Sequence, residues 1–175
     1  MLSKKMEAAL NDQLREETYS AYLYWAMAAD FEEKNLTGFA NWMRIQAQEE
    51  MVHAIKFYTF LIDRGGRVKL QALEAPPSEW KTLLAAFEAA LKHERHITGC
   101  INKLKDVARK ENDNAASMFL DWFVNEQVEE EKNADEKVKT LKLVGDNGHG
   151  ILMLDREAAA RVFTPPAAAG AAPAA

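Results

Sequence analysis

The sequence predicts an all-α protein: a bundle of four long helices with one long crossover between the second and third, and a short fifth helix near the C-terminal end. Three observations carry that reading. Apolar residues recur at three- and four-residue spacing along four long stretches, each of roughly 30 residues or about 45 Å of helix. Two breaks between the stretches are only a few residues long, which makes the flanking helices antiparallel neighbours. The remaining break covers about 15 residues, which fully extended reach roughly 50 Å. That is enough to return the chain to the other end of a helix and set the second and third helices parallel.

Composition narrows the chemistry. At 175 residues the chain suits one domain with a substantial core. A net charge of -5 and a pI near 5.5 provide no basic field. Nucleic acid and membrane surfaces are therefore not expected partners, and metal cations are. Cys100 is the only cysteine, which excludes an intramolecular disulfide and any cysteine-rich zinc or iron–sulfur site. Met1-Leu2-Ser3-Lys4-Lys5 lacks an apolar signal core, and no later stretch approaches 18 uncharged apolar residues, so a cytoplasmic location is expected.

The first helix opens at Ser3, an N-cap, and runs to about Lys34, with Met6, Leu10, Tyr24, Met27 and Phe31 on one stripe and Gln13, Glu17 and Ser20 filling its gaps. Asn35-Leu36-Thr37-Gly38 breaks it. The second stripe carries Phe39, Met43, Gln46, Glu50, His53, Phe57 and Phe60, and Gly65-Gly66 ends it. The crossover holds the β-leaning Val68-Lys69-Leu70, then Pro76-Pro77 and Ser78, the expected cap of a third helix over 79–110. That helix aligns Leu83, Phe87, Ala90, Glu94, Ile97, Ile101 and Leu104. After the polar turn Glu111-Asn112-Asp113-Asn114, a fourth helix over 114–143 aligns Ala116, Leu120, Phe123, Gln127, Glu130, Ala134 and Leu141. Gly145, Gly148 and Gly150 read as a loop, with Asp155 capping a short fifth helix over 155–163. Residues 1–163 form the domain, and 164–175, rich in Ala and Pro, read as a disordered tail.

Each seam is interrupted near its midpoint by cation-binding groups: Glu17 on the first helix, Glu50 and His53 on the second, Glu94 on the third, Gln127 and Glu130 on the fourth. In a bundle of equal helices these six lie at one level and meet at the axis. Four carboxylates in one core layer carry desolvation and mutual repulsion unless protonated or neutralised, and no Lys or Arg occupies the central turns of any seam. Two divalent ions sharing a bridging carboxylate supply the missing charge. An oxygen-rich set with one nitrogen favours iron or manganese.

The pattern resembles the ferritin-like di-iron bundle, in which two helices each give a Glu and two give Glu-x-x-His. Here Glu17, Glu94 and Glu50-x-x-His53 are present, while Gln127-x-x-Glu130 replaces the second Glu-x-x-His. In that respect the chain is similar to the bacterial non-haem ferritins rather than to bacterioferritins, rubrerythrins or di-iron oxygenases. The resemblance covers roughly residues 1–163 and includes Glu49-Glu50-x-x-His53, His93-Glu94 and Glu126-Gln127-x-Glu129-Glu130-Glu131.

That resemblance implies iron storage and detoxification. A ferroxidase centre would oxidise Fe(II) with O₂ or hydrogen peroxide, and ferric mineral would collect inside a hollow homo-oligomer of 24 subunits. Glu17 and His53 would hold the first iron, Glu50 would bridge, and Glu94 and Glu130 would hold the second. Gln127 would orient water or oxygen species near the first iron. Tyr24 would hydrogen-bond to a ligand and supply an electron, with Trp122 a lesser candidate. Glu49, Glu126 and Glu129, with Glu130, match a third iron site.

Several residues stand outside this set. Met51 is read as interface packing rather than a haem ligand, because the fourth helix lacks the second histidine. Trp25 and Trp42, off the seams, are expected at faces between subunits. His93 and His96 flank Glu94 with supporting or surface roles, and His149 is expected to be exposed. Asp113 and Asp121 are candidates for a three-fold pore. Two other classes remain open: a di-iron or di-manganese oxygenase, peroxidase or catalase in a smaller oligomer, against which Gln127-x-x-Glu130 counts, and a non-catalytic haem- or protein-binding bundle.

Overall fold

In the computed structural model, which describes residues 2–164, five helices follow one another: α1 (Lys4–Glu33), α2 (Thr37–Asp63), α3 (Leu83–Lys110), α4 (Asn114–Val144) and α5 (Gly148–Ala159). All but Thr164 of the Ala/Pro-rich tail lies outside the described residues. Among the described residues no helix is long and apolar enough to cross a membrane.

Local chemistry sets most of the boundaries. Side-chain oxygens of Ser3, Thr82, Asp113 and Asn147 accept the amide hydrogens of Met6, Ala85, Ala116 and Gly150, capping α1, α3, α4 and α5. The ends of α1, α2 and α3 share one device. Asn35, Gly65 and Asn112 take positive φ (59°, 70° and 54°), and the next amide reaches back to Phe31, Leu61 and Ala108 in turn, the Schellman closure.

Two expected boundaries move. Helix α3 begins at Leu83, not at 79 after Ser78, because the Thr82 hydroxyl accepts the first-turn amide of Ala85, while the Trp80 carbonyl before it accepts from Lys34 Nζ at 2.5 Å. Helix α5 begins at Gly148 rather than Asp155 and ends at Ala159. Gly150, read as loop, is instead helical at a close approach: a Cβ there would lie 2.8 Å from Val144 Cγ1. Asp155 does cap a helix, but it is α2. Leu36 offers that helix no side-chain cap, and Asp155 Oδ1 accepts the Phe39 amide at 2.9 Å. Gly38 permits the approach, since a Cβ there would sit 1.7 Å from the Asp155 carbonyl oxygen.

Contacts between helices fix their directions. Along α1, Glu16, Ser20 and Tyr24 meet His96, His93 and Glu94, so α1 and α3 are antiparallel. On α2, Gln46 meets Glu130, His53 meets Phe123 and Arg64 meets Asp113, so α2 and α4 are antiparallel too. With short turns joining α1 to α2 and α3 to α4, α2 and α3 run parallel, as the crossover length predicts. The crossover lies along α1. Asn11 donates to the Arg67 carbonyl and accepts from the Lys69 amide, while Glu7 and Asp12 take the Arg67 amide and Gln71. A buried asparagine thus satisfies a strap that has no strand partner.

The core is in two parts. One contains Met27, Phe31, Phe39, Met43, Phe87 and Val138. The other contains Leu10, Phe57, Ile97, Ile101, Leu120 and Phe123. Between them, on all four long helices, lies a layer of buried polar side chains. Burial of each large side chain contributes roughly 1.5–3 kcal/mol, so the two apolar blocks hold the polar layer in place. Trp42, expected at a subunit face, is 6% exposed and packs on Phe87 at 5.4 Å between ring centroids, inside the first block. Trp25 is half exposed.

Candidate metal centre

The polar layer comprises Glu17, Glu50, His53, Glu94, Gln127 and Glu130, each between 1% and 6% exposed. All six seam interruptions therefore reach the interior at one level. Glu17, Glu50 and His53 bring one ligand atom each to within 4.8 Å of one another, and His53, Glu126 and Glu130 do the same. His53 belongs to both groups. Its Nδ1 lies 3.3 Å from Glu50 Oε2, and its Nε2 lies 3.9 Å from Glu126 Oε1.

Hydrogen bonds hold the carboxylates. Gln13 donates to Glu17 Oε1 and Gln46 to Glu130 Oε2, each at 2.9 Å. Tyr24 donates its hydroxyl to Glu94 Oε1. Gln127 donates toward the Glu94 carbonyl oxygen and carboxylate at 3.2 and 3.3 Å, which puts it against the residue assigned to the second ion. Among the described residues Glu17 Oε2, His53 Nε2 and Gln46 Oε1 are buried with no hydrogen-bond partner, and the first two belong to one convergent group of ligand atoms. Buried polar atoms without partners cost about 1–3 kcal/mol each, so two together, within one convergent group, fit the coordination of a cation.

Electrostatics agree. Among the described residues no Lys or Arg pairs with Glu17, Glu50, Glu94 or Glu130. Burial, reinforced by the charge of Glu50, pushes Glu17 up to about 8. Burial and Glu130 push Glu94 up to about 8. Burial, with Glu94 and Glu130, holds Glu50 well above the usual carboxylate range. Without cations the layer is a set of acids that resist ionisation. With divalent ions it is a ligand set of hard oxygens and one nitrogen, suited to iron or manganese.

The residues expected at a third site are divided. Glu126 and Glu130 converge with His53. Glu49 instead makes an ion pair with Arg161 at 2.6 Å, and the guanidinium also lies 4.7 Å over the Trp42 ring. Burial pushes Glu49 up to about 7 although Arg161 opposes it. Glu129 is exposed. Trp122 packs edge-on against His53, 5.4 Å between centroids, with Lys56 Nζ on its ring. The pore candidates are both engaged: Asp113 caps α4 and accepts two hydrogen bonds from Arg64, and Asp121 pairs with Lys105.

His93 is partly buried and bonded to Ser20, and its loss of solvent holds it down at about 4. His149 is exposed. Sequence reasoning missed Gln13, Gln46 and Arg161. Gln13 carried a signal, one turn before its partner Glu17, whereas the partner of Gln46, Glu130, is 84 positions away. Arg161 carried none, because its partner lies 112 positions away.

Comparison with known proteins agrees with this architecture. A family model described as ferritin-like domain matches residues 7–144. The bacterial non-heme ferritin of Bacteroides fragilis is 42% identical over 148 residues, 85% of this chain and 93% of that protein. The bacterial non-heme ferritin of Staphylococcus aureus is 37% identical over 163 residues, 93% of this chain and 98% of that one. An open pore ferritin from the hyperthermophilic archaeon Archaeoglobus fulgidus superposes with a TM-score of 0.92 at 49% identity, covering 93% of this chain and all of that one. An engineered closed form of the same ferritin gives 0.93 at 50% identity, covering 94% of this chain. Both the bundle, interrupted at mid-height by acids, and the relatives that match nearly its whole length lead to one assignment: the chain belongs to the ferritin family.

Proposed function

We propose that this protein stores iron: it takes up Fe(II), oxidises it at the buried layer with O₂ or hydrogen peroxide, and retains the ferric product inside a cage of 24 copies. The supporting observation is the pair of orphaned atoms, Glu17 Oε2 and His53 Nε2, in a core layer of four carboxylates without basic counter-charges. Glu17, Glu50 and His53 would bind one Fe(II), and Glu50, Glu94 and Glu130 a second, with Glu50 between them. Each Fe(II) gives up one electron. O₂ takes two electrons and two protons to become hydrogen peroxide, or hydrogen peroxide takes two of each to become two waters. Anionic oxygens favour the higher iron charge, so the layer drives oxidation.

Tyr24, bonded to Glu94, fixes that carboxylate and stands as a local electron donor. Glu126, with Glu130 and His53, would take iron leaving the centre, and Glu49 and Glu129 would follow. The names of the bacterial non-heme ferritin relatives support an iron cargo. Exposed Trp25, Ile55, Tyr58 and Ile62 support burial of further faces in an assembly.

Aerobic addition of Fe(II), followed in the near ultraviolet, tests the centre. Glu50→Ala and His53→Ala are expected to lose the fast initial oxidation. Equal initial rates in the parent and both variants would overturn the assignment. Particle size with iron bound tests the cage, and a mass of one or two chains would contradict it.

A further inference from the structure

Outside the buried layer, one more group of metal-ligating side chains converges among the described residues. Glu16 on α1 and His96 and Cys100 on α3 each bring one ligand atom to within 4.8 Å of the others. His96 and Cys100 are one helical turn apart on a single face. His96 Nε2 lies 3.1 Å from Glu16 Oε2 and 3.6 Å from Cys100 Sγ. Arg15 engages the other carboxylate oxygen of Glu16, Oε1, and leaves Oε2 facing the histidine.

These separations are the edges of a coordination polyhedron. Around a tetrahedral zinc with Zn–N and Zn–O near 2.0 Å and Zn–S near 2.3 Å, nitrogen and oxygen stand about 3.3 Å apart and nitrogen and sulfur about 3.5 Å apart. Both observed distances fall within a few tenths of an ångström of those values. The third edge, from Glu16 to Cys100, lies within 4.8 Å, so side-chain rotation, with the helices where they are, would close the site on a cation.

We propose that Glu16, His96 and Cys100 form a second, outward-facing metal site for a zinc-class divalent cation, with three protein ligands and a fourth position open to solvent. The donor set separates it from the buried layer. A thiolate and an imidazole with one carboxylate select borderline and soft cations such as Zn(II), Co(II) or Cd(II), whereas the oxygen-rich layer selects hard ones. His96 is exposed, so a cation reaches this site without passing through the bundle. Once bound, it links α1 to α3, two helices joined by no short turn.

Cobalt(II) reports on the site directly. Cys100 is the only thiol in the chain, so a thiolate-to-cobalt charge-transfer band in the near ultraviolet arises only there. In metal-free full-length protein, Co(II) is expected to produce that band, and Zn(II) to bleach it where Mg(II) does not. Cys100→Ser should abolish the band. His96→Ala and Glu16→Gln should each weaken Co(II) binding by about tenfold or more. Glu50→Ala, which disables the buried layer, should leave the band intact, so failure of the iron-oxidation reading and failure of this one are separable. Absence of the band in the parent protein would overturn the proposal. A band whose cobalt affinity is unchanged in both His96→Ala and Glu16→Gln would also overturn it, since a thiol alone would then be the ligand.

Discussion

Replacing Glu17 by Gln should make the metal-free protein more stable, although it removes an expected iron ligand. In the folded chain burial lifts the Glu17 carboxyl from an ordinary value of 4.5 to about 8. Its folded form therefore keeps a proton that the unfolded chain releases. Below pH 4.5 both forms are protonated and burial carries no titration penalty. As pH rises from 4.5 to 8 the penalty grows, and above 8 it levels off. At pH 7 the unfolded value lies about 2.5 below ambient, and at 1.36 kcal/mol for each unit the cost is about 3 kcal/mol. Glutamine carries no such cost and still accepts the Gln13 hydrogen bond through its carbonyl oxygen. Its amide leaves a donor unpaired, as the protonated acid already does.

Denaturant unfolding of chelator-treated protein, at one protein concentration, should show Glu17→Gln more stable by about 3 kcal/mol at pH 7 and equal to the parent near pH 4.5. Adding a divalent cation at pH 7 should stabilise the parent more than the variant. A variant that is no more stable at pH 7, or a gap that does not change with pH, would refute the picture of a strained acidic layer awaiting cations.

Three further variants test long-range contacts. Asp155→Ala should cost about 1–2 kcal/mol and speed hydrogen exchange at the Phe39 amide, because it removes the side-chain cap that α2 has among the described residues. Gly38→Ala should cost more, with α5 displaced, since its Cβ would overlap the Asp155 carbonyl. Arg161→Gln should cost about 2 kcal/mol in denaturant unfolding. It should also raise the Glu49 carboxyl above its value of about 7, seen as a shifted carboxylate titration by infrared or NMR, because burial would then act without the opposing cation.

Much of the architecture was legible because it is periodic. Glu17, Glu50, Glu94 and Glu130 stand on apolar seams at mid-helix, and a helix places seam residues inward wherever it packs. The parallel pairing of α2 and α3 followed from the length of the connection alone. What was hidden lies in contacts without period. Asp155 has the chemistry of a cap, and the sequence shows that much, but the amide it caps is 116 positions away. Trp42 sits off the α2 seam, yet Phe87 and Arg161 enclose it from other elements. Glu49 matches a third iron site by resemblance, but its partner Arg161 is 112 positions away and leaves no local trace.

The polar layer between the two core blocks has a consequence for how the molecule folds. Glu17, Glu50 and His53 lie on the α1–α2 hairpin, while Glu94, Gln127 and Glu130 lie on the α3–α4 hairpin. Each hairpin closes through contacts near in sequence, which form early, and the strap over 64–82 tethers the two. The layer exists only after the hairpins dock. Its charges therefore burden a late step: at high pH without cations, docking drives acids of one hairpin against acids of the other. Protons, or ions that bridge Glu50 to Glu94, lower that barrier. Refolding rate, more than helix content, is where the pH and the supply of metal would be felt first.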